Sequence, residues 1–187
     1  MKTGKILFFI MTSAFLFSGC ALPLWTHLNE QDYRDNSRSF SARLPQDWMK
    51  LNFNKNFFIT KDGLSLNLIM VSRLSIKDRL EFTNKKYERD MLVTDLAEIE
   101  KDNLSLNKNW LQFKILSNEP LRISNYDGYR LEYSYETKNG LPIRGILCGF
   151  QHNAWIYQIR FEATEQHYYE ENVKIFEKFL SSFRLIK

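Results

Sequence analysis

The feature that most constrains the fold is a series of three strand-like segments near the C-terminus, of which the first and third alternate apolar and polar residues. The first segment places four large apolar side chains two residues apart, at Tyr129, Leu131, Tyr133 and Tyr135. Two further apolar segments, residues 143–151 and 155–161, follow it after short turn sequences. Side chains that repeat every two residues share one face of a strand, so this pattern predicts a three-stranded antiparallel meander.

The same period of two predicts more strands upstream. Phe40, Ala42 and Leu44 alternate directly before Pro45. Apolar runs at 57–60 and 64–74 are joined by Lys61-Asp62-Gly63, and Asp-Gly between two such runs predicts a β-hairpin with a tight primed turn. A last upstream strand is predicted by the alternation of Leu111, Phe113 and Ile115.

Two segments have helical spacing instead. Over residues 91–104 the stripe comprises Leu92, Leu96, Ile99 and Asn103, with Thr94 and Asp95 as local caps. Near the C-terminus the stripe comprises Tyr169, Val173, Phe176, Leu180 and Phe183. The fold class predicted is therefore α+β, an antiparallel β-sheet packed with two amphipathic helices.

The N-terminus has the features of an export signal. Lys2 and Lys5 precede an apolar run over residues 6–17, which is shorter than the roughly 20 residues needed to span a bilayer. The next residues, Phe17-Ser18-Gly19-Cys20, resemble a bacterial lipobox, with Phe17 where Leu is usual. We therefore expect residues 1–19 to be removed as a signal peptide and Cys20 to be acylated, which makes the membrane a partner. An ordinary signal peptide with an incidental cysteine is the alternative.

The lipobox resemblance also implies that the protein is located in the cell envelope. Ala21 stands where an aspartate favours inner-membrane retention in enterobacterial lipoproteins, so the outer membrane is expected. Residues 20–38 are polar and lack periodicity, which predicts a lipidated tether before a single α+β domain over residues 39–187. Such a tether would hold the domain clear of the bilayer. Alternatively, Leu22, Leu24 and Trp25 lie at the lipid interface, where tryptophan is common.

The charge balance argues against a nucleic-acid partner. The chain has 26 basic and 22 acidic residues, and removal of Lys2 and Lys5 with the leader leaves 24 against 22. A mature charge of about +2 with no long basic run supplies little attraction for phosphate backbones. With Cys20 acylated, Cys148 is the only remaining thiol, so no intramolecular disulfide is expected.

Several short strings carry a resemblance to known proteins. They are Leu44-Pro45-x-x-Trp48, Ile59-Thr60-Lys61-Asp62-Gly63, Asn125-Tyr126-Asp127-Gly128-Tyr129-Arg130-Leu131-x-Tyr133 and Phe179-Leu180-Ser181-Ser182-Phe183. On these strings the chain resembles a group of uncharacterised proteobacterial lipoproteins over about residues 40–185. More distantly, the order of its elements looks like the PsbP-like fold of extrinsic proteins of the photosynthetic oxygen-evolving complex. The resemblance implies no catalytic residues, because one fold hosts many functions.

A cysteine and a histidine–glutamate pair are the catalytic and metal-binding candidates of the sequence. Cys148 lies in an apolar strand, which is typical of a structural cysteine, whereas a nucleophilic thiolate needs a cationic neighbour or a helix N-terminus. His167 and Glu171 are four residues apart and could share a metal ion, but acidic residues at a helix start are also expected from the helix dipole. No second ligand motif occurs, so neither a metal nor another cofactor is predicted.

Aromatic and basic groups give the remaining candidates. Tyr129 and four further aromatic residues either face the core or form an aromatic surface for an apolar or glycan ligand. These ligand-facing candidates are Tyr133, Tyr135, Trp155 and Tyr157. A basic segment is either a solvated loop or a patch for anionic lipid or an acidic partner, and it contains Lys77, Arg79, Lys85, Lys86 and Arg89.

These observations favour a lipid-anchored, non-enzymatic envelope lipoprotein that binds a protein partner as an assembly accessory. A carrier or sensor of a small apolar ligand is the second hypothesis, and it requires a pocket lined by the aromatic strands. An enzyme is the third, and it requires Cys148 or His167 to be exposed in a cleft beside a reactive partner.

Overall fold

The computed structural model describes residues 23–186, which form eleven strands and two helices. The signal sequence, the Phe17-Ser18-Gly19-Cys20 motif and Leu22 lie outside the described residues. The first six strands are β1 (Trp25–His27), β2 (Gln31–Asp35), β3 (Phe40–Leu44), β4 (Met49–Leu51), β5 (Phe57–Thr60) and β6 (Asn67–Ser75). The remaining elements are α1 (Val93–Ser105), β7 (Trp110–Ile123), β8 (Tyr126–Thr137), β9 (Pro142–His152), β10 (Trp155–Thr164), α2 (Tyr168–Ser182) and β11 (Arg184–Leu185).

The main sheet has eight strands in the order β1-β4-β5-β6-β10-β9-β8-β7, and a smaller sheet has the order β11-β3-β2. Every pair of neighbouring strands is antiparallel. The meander is confirmed as β8, β9 and β10, with Leu131 opposite Leu147 and Cys148 opposite Ile159. The α+β class with two amphipathic helices is confirmed, and both helices lie within two residues of the spans that their spacing predicts.

The main sheet is the middle layer of three. Along β10, Tyr157, Ile159 and Phe161 face α2 and the small sheet, whereas Ile156 faces α1. Alternate residues of one strand are thus buried on opposite faces. We name these the α2 face and the α1 face of the sheet. A strand covered on both faces is apolar along nearly its whole length, which explains the unbroken apolar run of β9.

Phenylalanine rings fill the α2 face. Phe176 of α2 stacks on Phe161 with ring centroids 5.3 Å apart, and Phe40 of β3 stacks on Phe183 at the same distance. All four side chains are fully buried. Such rings bury large apolar areas and gain further from the offset geometry, so this face forms the main hydrophobic core.

The N-terminal part of the domain differs from the expected tether. Strands β1 and β2 lie within residues 20–38, and Leu28 between them is buried in the α2-face core. Asp35 at the end of β2 is also buried, where it pairs with Arg38 at 2.6 Å and accepts a hydrogen bond from Ser37. Because these strands are short and mostly polar, their side chains show no period of two. Over residues 23–186, neither helix combines the length and apolar character that a membrane span requires.

Local geometry departs from the predictions at three other places. The hairpin of β5 and β6 forms, but its connection covers residues 61–66 and is organised by Asn67, whose side chain accepts from the Lys61 amide at 2.9 Å. Gly63 supplies the positive φ of +110° that this longer turn requires. Helix α1 begins after Leu92 and has no side-chain cap from Thr94 or Asp95.

The third departure is in β7, which contains two register shifts against β8. Gln112 has a φ of 52°, so the strand reverses its alternation there. Leu111 consequently lies in solvent, while Phe113 and Ile115 pack on the α1 face. The sequence pattern placed all three residues on one face, and the bulge explains why this was wrong.

Candidate functional site

Helix α1 brings a carboxyl group into the interior of the protein. Leu96, Glu100 and Leu104 are each four residues apart and therefore share one side of the helix. All three are buried, and Glu100 has no exposed surface. The packing of the two leucines against the sheet holds Glu100 over β10, where it begins a polar cluster that crosses the α1 face.

Glu100 is hydrogen-bonded through one of its two oxygens. The Tyr87 hydroxyl donates to Oε1, and Gln158 Nε2 donates to the same atom at 2.5 Å. Gln158 in turn accepts a hydrogen bond from Ser72 at 3.1 Å. Among the described residues, nothing bonds to Oε2. Burial raises the pKa of Glu100 to about 7, against the opposing effects of the Arg160 charge and the Gln158 hydrogen bond.

The second half of the cluster is centred on Glu162. Tyr133 donates to its Oε1 at 2.6 Å, and Tyr135 donates to its Oε2 at 3.3 Å. The Arg160 guanidinium lies 3.7 Å from Oε1. Burial and the neighbouring carboxylate raise the pKa of both tyrosines, so each stays a hydrogen-bond donor. Burial alone would lower the pKa of Arg160, but the surrounding acidic groups raise it instead.

Glycines in β9 make room for the tyrosine rings of this cluster. Gly145 lies under the ring of Tyr133, and Gly149 lies under the ring of Tyr129. A β-carbon at either glycine would overlap the ring above it. The Tyr129 hydroxyl is buried and has no hydrogen-bond partner within residues 23–186. The small residues therefore fix the aromatic layer between α1 and the sheet.

The structure does not bring the four ligand-facing aromatic candidates together. Tyr133 and Tyr135 lie on the α1 face, where Trp110 stacks on Tyr135 with centroids 4.1 Å apart. Tyr157 is buried on the α2 face, and the Arg73 guanidinium lies 3.8 Å from the ring of Trp155. Tyr133 and Tyr135 therefore lie on the opposite side of the main sheet from Trp155 and Tyr157. Tyr129, the remaining aromatic residue of the predicted surface, is buried in the same cluster as Tyr133.

The candidate reactive residues are also separated from each other. Cys148 is fully buried, and burial raises its pKa to about 12, so its thiol stays protonated at neutral pH. His167 precedes α2 and is mostly exposed, with its Nε2 3.2 Å from Glu171. Residues 23–186 contain no cluster of three or more His, Cys, Asp or Glu side chains arranged to hold a metal ion.

One cleft opens beside the polar cluster. It has a volume of about 250 Å³ and is walled by Leu64, Leu66, Leu141 and Ile143, with Tyr135 and Glu162 among its polar lining. The basic segment packs against α1, where Lys85 pairs with Asp102 and the buried Tyr87 reaches the polar cluster through Glu100. This segment thus packs partly against the domain through Tyr87, a residue that the charge pattern did not single out.

Together the layers, the strand order and the two helices define a PsbP-like α+β fold. The structure resembles the solution structure of the cyanobacterial PsbP protein CyanoP from Synechocystis, with a TM-score of 0.56 and 13% identity over 89% of this chain and 95% of that one. It also resembles LpqN of Mycobacterium tuberculosis, described as involved in cell envelope biogenesis, with a TM-score of 0.55 and 13% identity over 87% and 93% of the two chains.

A third similar structure is that of a Mog1 mutant, with a TM-score of 0.55 and 7% identity over 86% of this chain and 97% of that one. No protein-family model and no curated protein matches the sequence. At these identities the similarity establishes the fold and nothing more. The resemblance to proteobacterial lipoproteins remains a prediction from the sequence.

Proposed function

We propose that the protein is a lipid-anchored accessory protein of the bacterial envelope that binds a partner protein through the outer edge of β7. The single observation that carries this proposal is the exposed edge of the main sheet. Among residues 23–186, no strand pairs with the outer side of β7, although it is 14 residues long. Unpaired backbone groups on an edge strand are a template for an added strand.

Apolar side chains reinforce this edge. Leu111 borders the first register shift of β7 and Leu116 lies within the second, and their side chains are 46% and 49% exposed. Exposed leucines beside free backbone donors and acceptors suit a partner strand that also contributes apolar side chains. Pro120 and Lys114 lie on the same strand, and both residue types limit pairing between identical edges. The edge is therefore suited to a selected partner more than to self-association.

The anchor in this proposal is the acylated Cys20, with the outer membrane as its location. The lipobox resemblance supports it, and similarity to LpqN, itself described as acting in cell envelope biogenesis, is compatible with it. We expect Cys20→Ser to leave the protein unprocessed or soluble, because neither lipid nor lipoprotein cleavage remains available. Mass spectrometry of the membrane fraction measures this, and normal membrane retention of the variant would disprove the anchor.

The partner site is tested by native mass spectrometry of the protein after mild extraction from the cell envelope of its host. We expect a bound protein with the wild type and its loss with Leu116→Arg, which places a charge on the proposed interface. Leu106→Arg is the matched control, because Leu106 is similarly exposed but follows α1. Retention of the companion by Leu116→Arg, or its loss from both variants, would reject β7 as the binding edge.

A carrier of a small ligand is the second candidate, favoured by the cleft next to Glu162. Its walls are mainly apolar, and it includes Tyr135, one of the four predicted ligand-facing aromatics. Its volume of about 250 Å³ lies below the roughly 300–1,000 Å³ typical of ligand pockets. The cleft therefore suits only a small molecule, and an extra small mass in the same native spectra would support this candidate over a partner protein.

A further inference from the structure

A second surface is defined by the place where the described chain begins. Pro23 and Leu24 run alongside the connection between β4 and β5, because the Asn52 amide donates to the Leu24 carbonyl at 2.8 Å. The Asn52 side chain also donates to the Pro23 carbonyl at 2.8 Å. Cys20 precedes Pro23 by three residues, a span of at most about 11 Å when fully extended. An acyl group on Cys20 therefore holds this end of the domain against the bilayer.

Two apolar side chains project from this end. Phe53 is 74% exposed and Leu24 is 59% exposed, so neither contributes much to the core. Phe53 also has a φ of 57°, a left-handed conformation that is strained for a bulky residue. Asparagine or glycine would adopt this conformation more easily. A large apolar residue kept in a strained and solvent-exposed position points to a role outside the folding of the domain.

A cationic cleft adjoins Phe53. It has a volume of about 200 Å³ and is lined by Lys50 and Arg38 together with the side chains of several asparagines. Arg38 already pairs with Asp35, but Lys50 forms none of the ion pairs found among residues 23–186 and lies 5.3 Å from the ring of Tyr33. The side-chain amides of Asn52 and Asn56 already donate to other groups of the domain, so the Lys50 ammonium is the group that suits an anionic phosphate.

We infer that Leu24, Phe53 and the Lys50 cleft form a membrane-docking surface that seats the domain on an anionic bilayer. Phe53 and Leu24 enter the acyl boundary, and the cleft binds a lipid headgroup phosphate. This arrangement rests on the proposed anchor and adds an orientation to it. Because β7 is at the opposite edge of the main sheet from β1, docking through the β1 end leaves the proposed partner edge accessible.

The test uses the mature protein, purified from bacteria that express it with its leader, in phosphatidylethanolamine vesicles with or without phosphatidylglycerol. A polarity-sensitive dye is attached to Phe53→Cys and, as a matched control, to Leu106→Cys. Cys148 does not react in the folded protein because it is fully buried. We expect the dye at position 53 to shift its emission to shorter wavelength and to be quenched by lipid-borne quenchers, while the dye at position 106 stays in water.

A second variant tests the headgroup site. Lys50→Gln removes the positive charge and should lower the ratio of docked to undocked domain about fivefold on vesicles with phosphatidylglycerol, with little change on vesicles without it. An aqueous environment at position 53 in protein that floats with the vesicles overturns the docking surface. Protein that fails to float with the vesicles overturns the Cys20 anchor itself, so the two failures are distinguishable.

Discussion

The two faces of the main sheet are built differently. The α2 face is closed by stacked phenylalanine rings, such as Phe161 on Phe176, whereas the α1 face contains Glu100 and Glu162 with their hydrogen-bonding partners. Well-packed apolar side chains stabilise the folded state. A buried carboxyl group lowers the stability unless it is protonated or all its hydrogen-bonding capacity is satisfied. The comparison predicts that the α1 face makes the stability of the domain depend on pH, whereas the aromatic packing of the α2 face does not.

The largest effect on stability is expected from a truncation in the aromatic core of the α2 face. Phe176→Ala removes a fully buried ring and should lower the free energy of unfolding by about 3–5 kcal/mol. Chemical denaturation measures the loss. Lys174→Ala on the exposed side of the same helix is the control and should change little. An unchanged melting temperature for Phe176→Ala would show that the α2 stripe is not core.

The next largest effect is expected at the buried carboxyl group of the α1 face. The native pKa of Glu100 is raised to about 7 from an ordinary value of 4.5, so the folded state holds this proton more tightly than the unfolded state does. Its contribution to stability is therefore largest below about pH 4.5 and falls as the pH rises to about 7. Glu100→Gln should raise stability by up to about 3 kcal/mol near pH 8 and by little near pH 4.

The control for this variant is Glu98→Gln, which changes an exposed carboxylate on the same helix. Denaturation at several pH values compares the two variants. A pH-independent difference between Glu100→Gln and the wild type would contradict a carboxyl group neutralised by burial.

The smallest expected effect concerns the fit of the aromatic layer on the α1 face. Gly149→Ala should cost about 1–3 kcal/mol, because its β-carbon would overlap the Tyr129 ring and the close-packed interior can only partly adjust. Tyr129→Phe removes the unpaired hydroxyl that lies nearest this glycine. A double-mutant cycle should show that Tyr129→Phe relieves part of the cost. Strict additivity would mean that the two residues do not compete for space.

Much of the fold followed from the sequence because the apolar periodicity is strong where the core is deepest. The alternation in β8 and β10 and the stripe of α2 each reflect side chains that are buried in the core. The polar strands β1 and β2 could not be predicted from apolar periodicity. Of the expected tether positions that the structure describes, only Leu28 and Asp35 are buried, and two buried residues do not make a repeating pattern. The bulge at Gln112 was equally hidden, because a change of register has no compositional signature.

The polar cluster was missed for a related reason. Charged residues on an amphipathic helix are normally assigned to its exposed side, so Glu100 was passed over although it lies midway between Leu96 and Leu104 at helical spacing. On β10, Arg160 and Glu162 alternate with apolar residues, and this alternation is typical of a strand with one side in solvent. In the structure both side chains are largely shielded from solvent, because a helix lies on each side of the sheet. A carboxylate inside an apolar stripe was the available signal.

The pairing of β11 with β3 has a consequence for the order of events during synthesis. Leu185 lies opposite Phe40, so the small sheet joins the last residues of the chain to some of the first in the domain. The central pairing of β6 with β10 is similarly distant in sequence. A chain that emerges from the ribosome with its N-terminus first cannot complete either sheet until translation is nearly finished. The polypeptide thus cannot complete its tertiary structure for most of its synthesis.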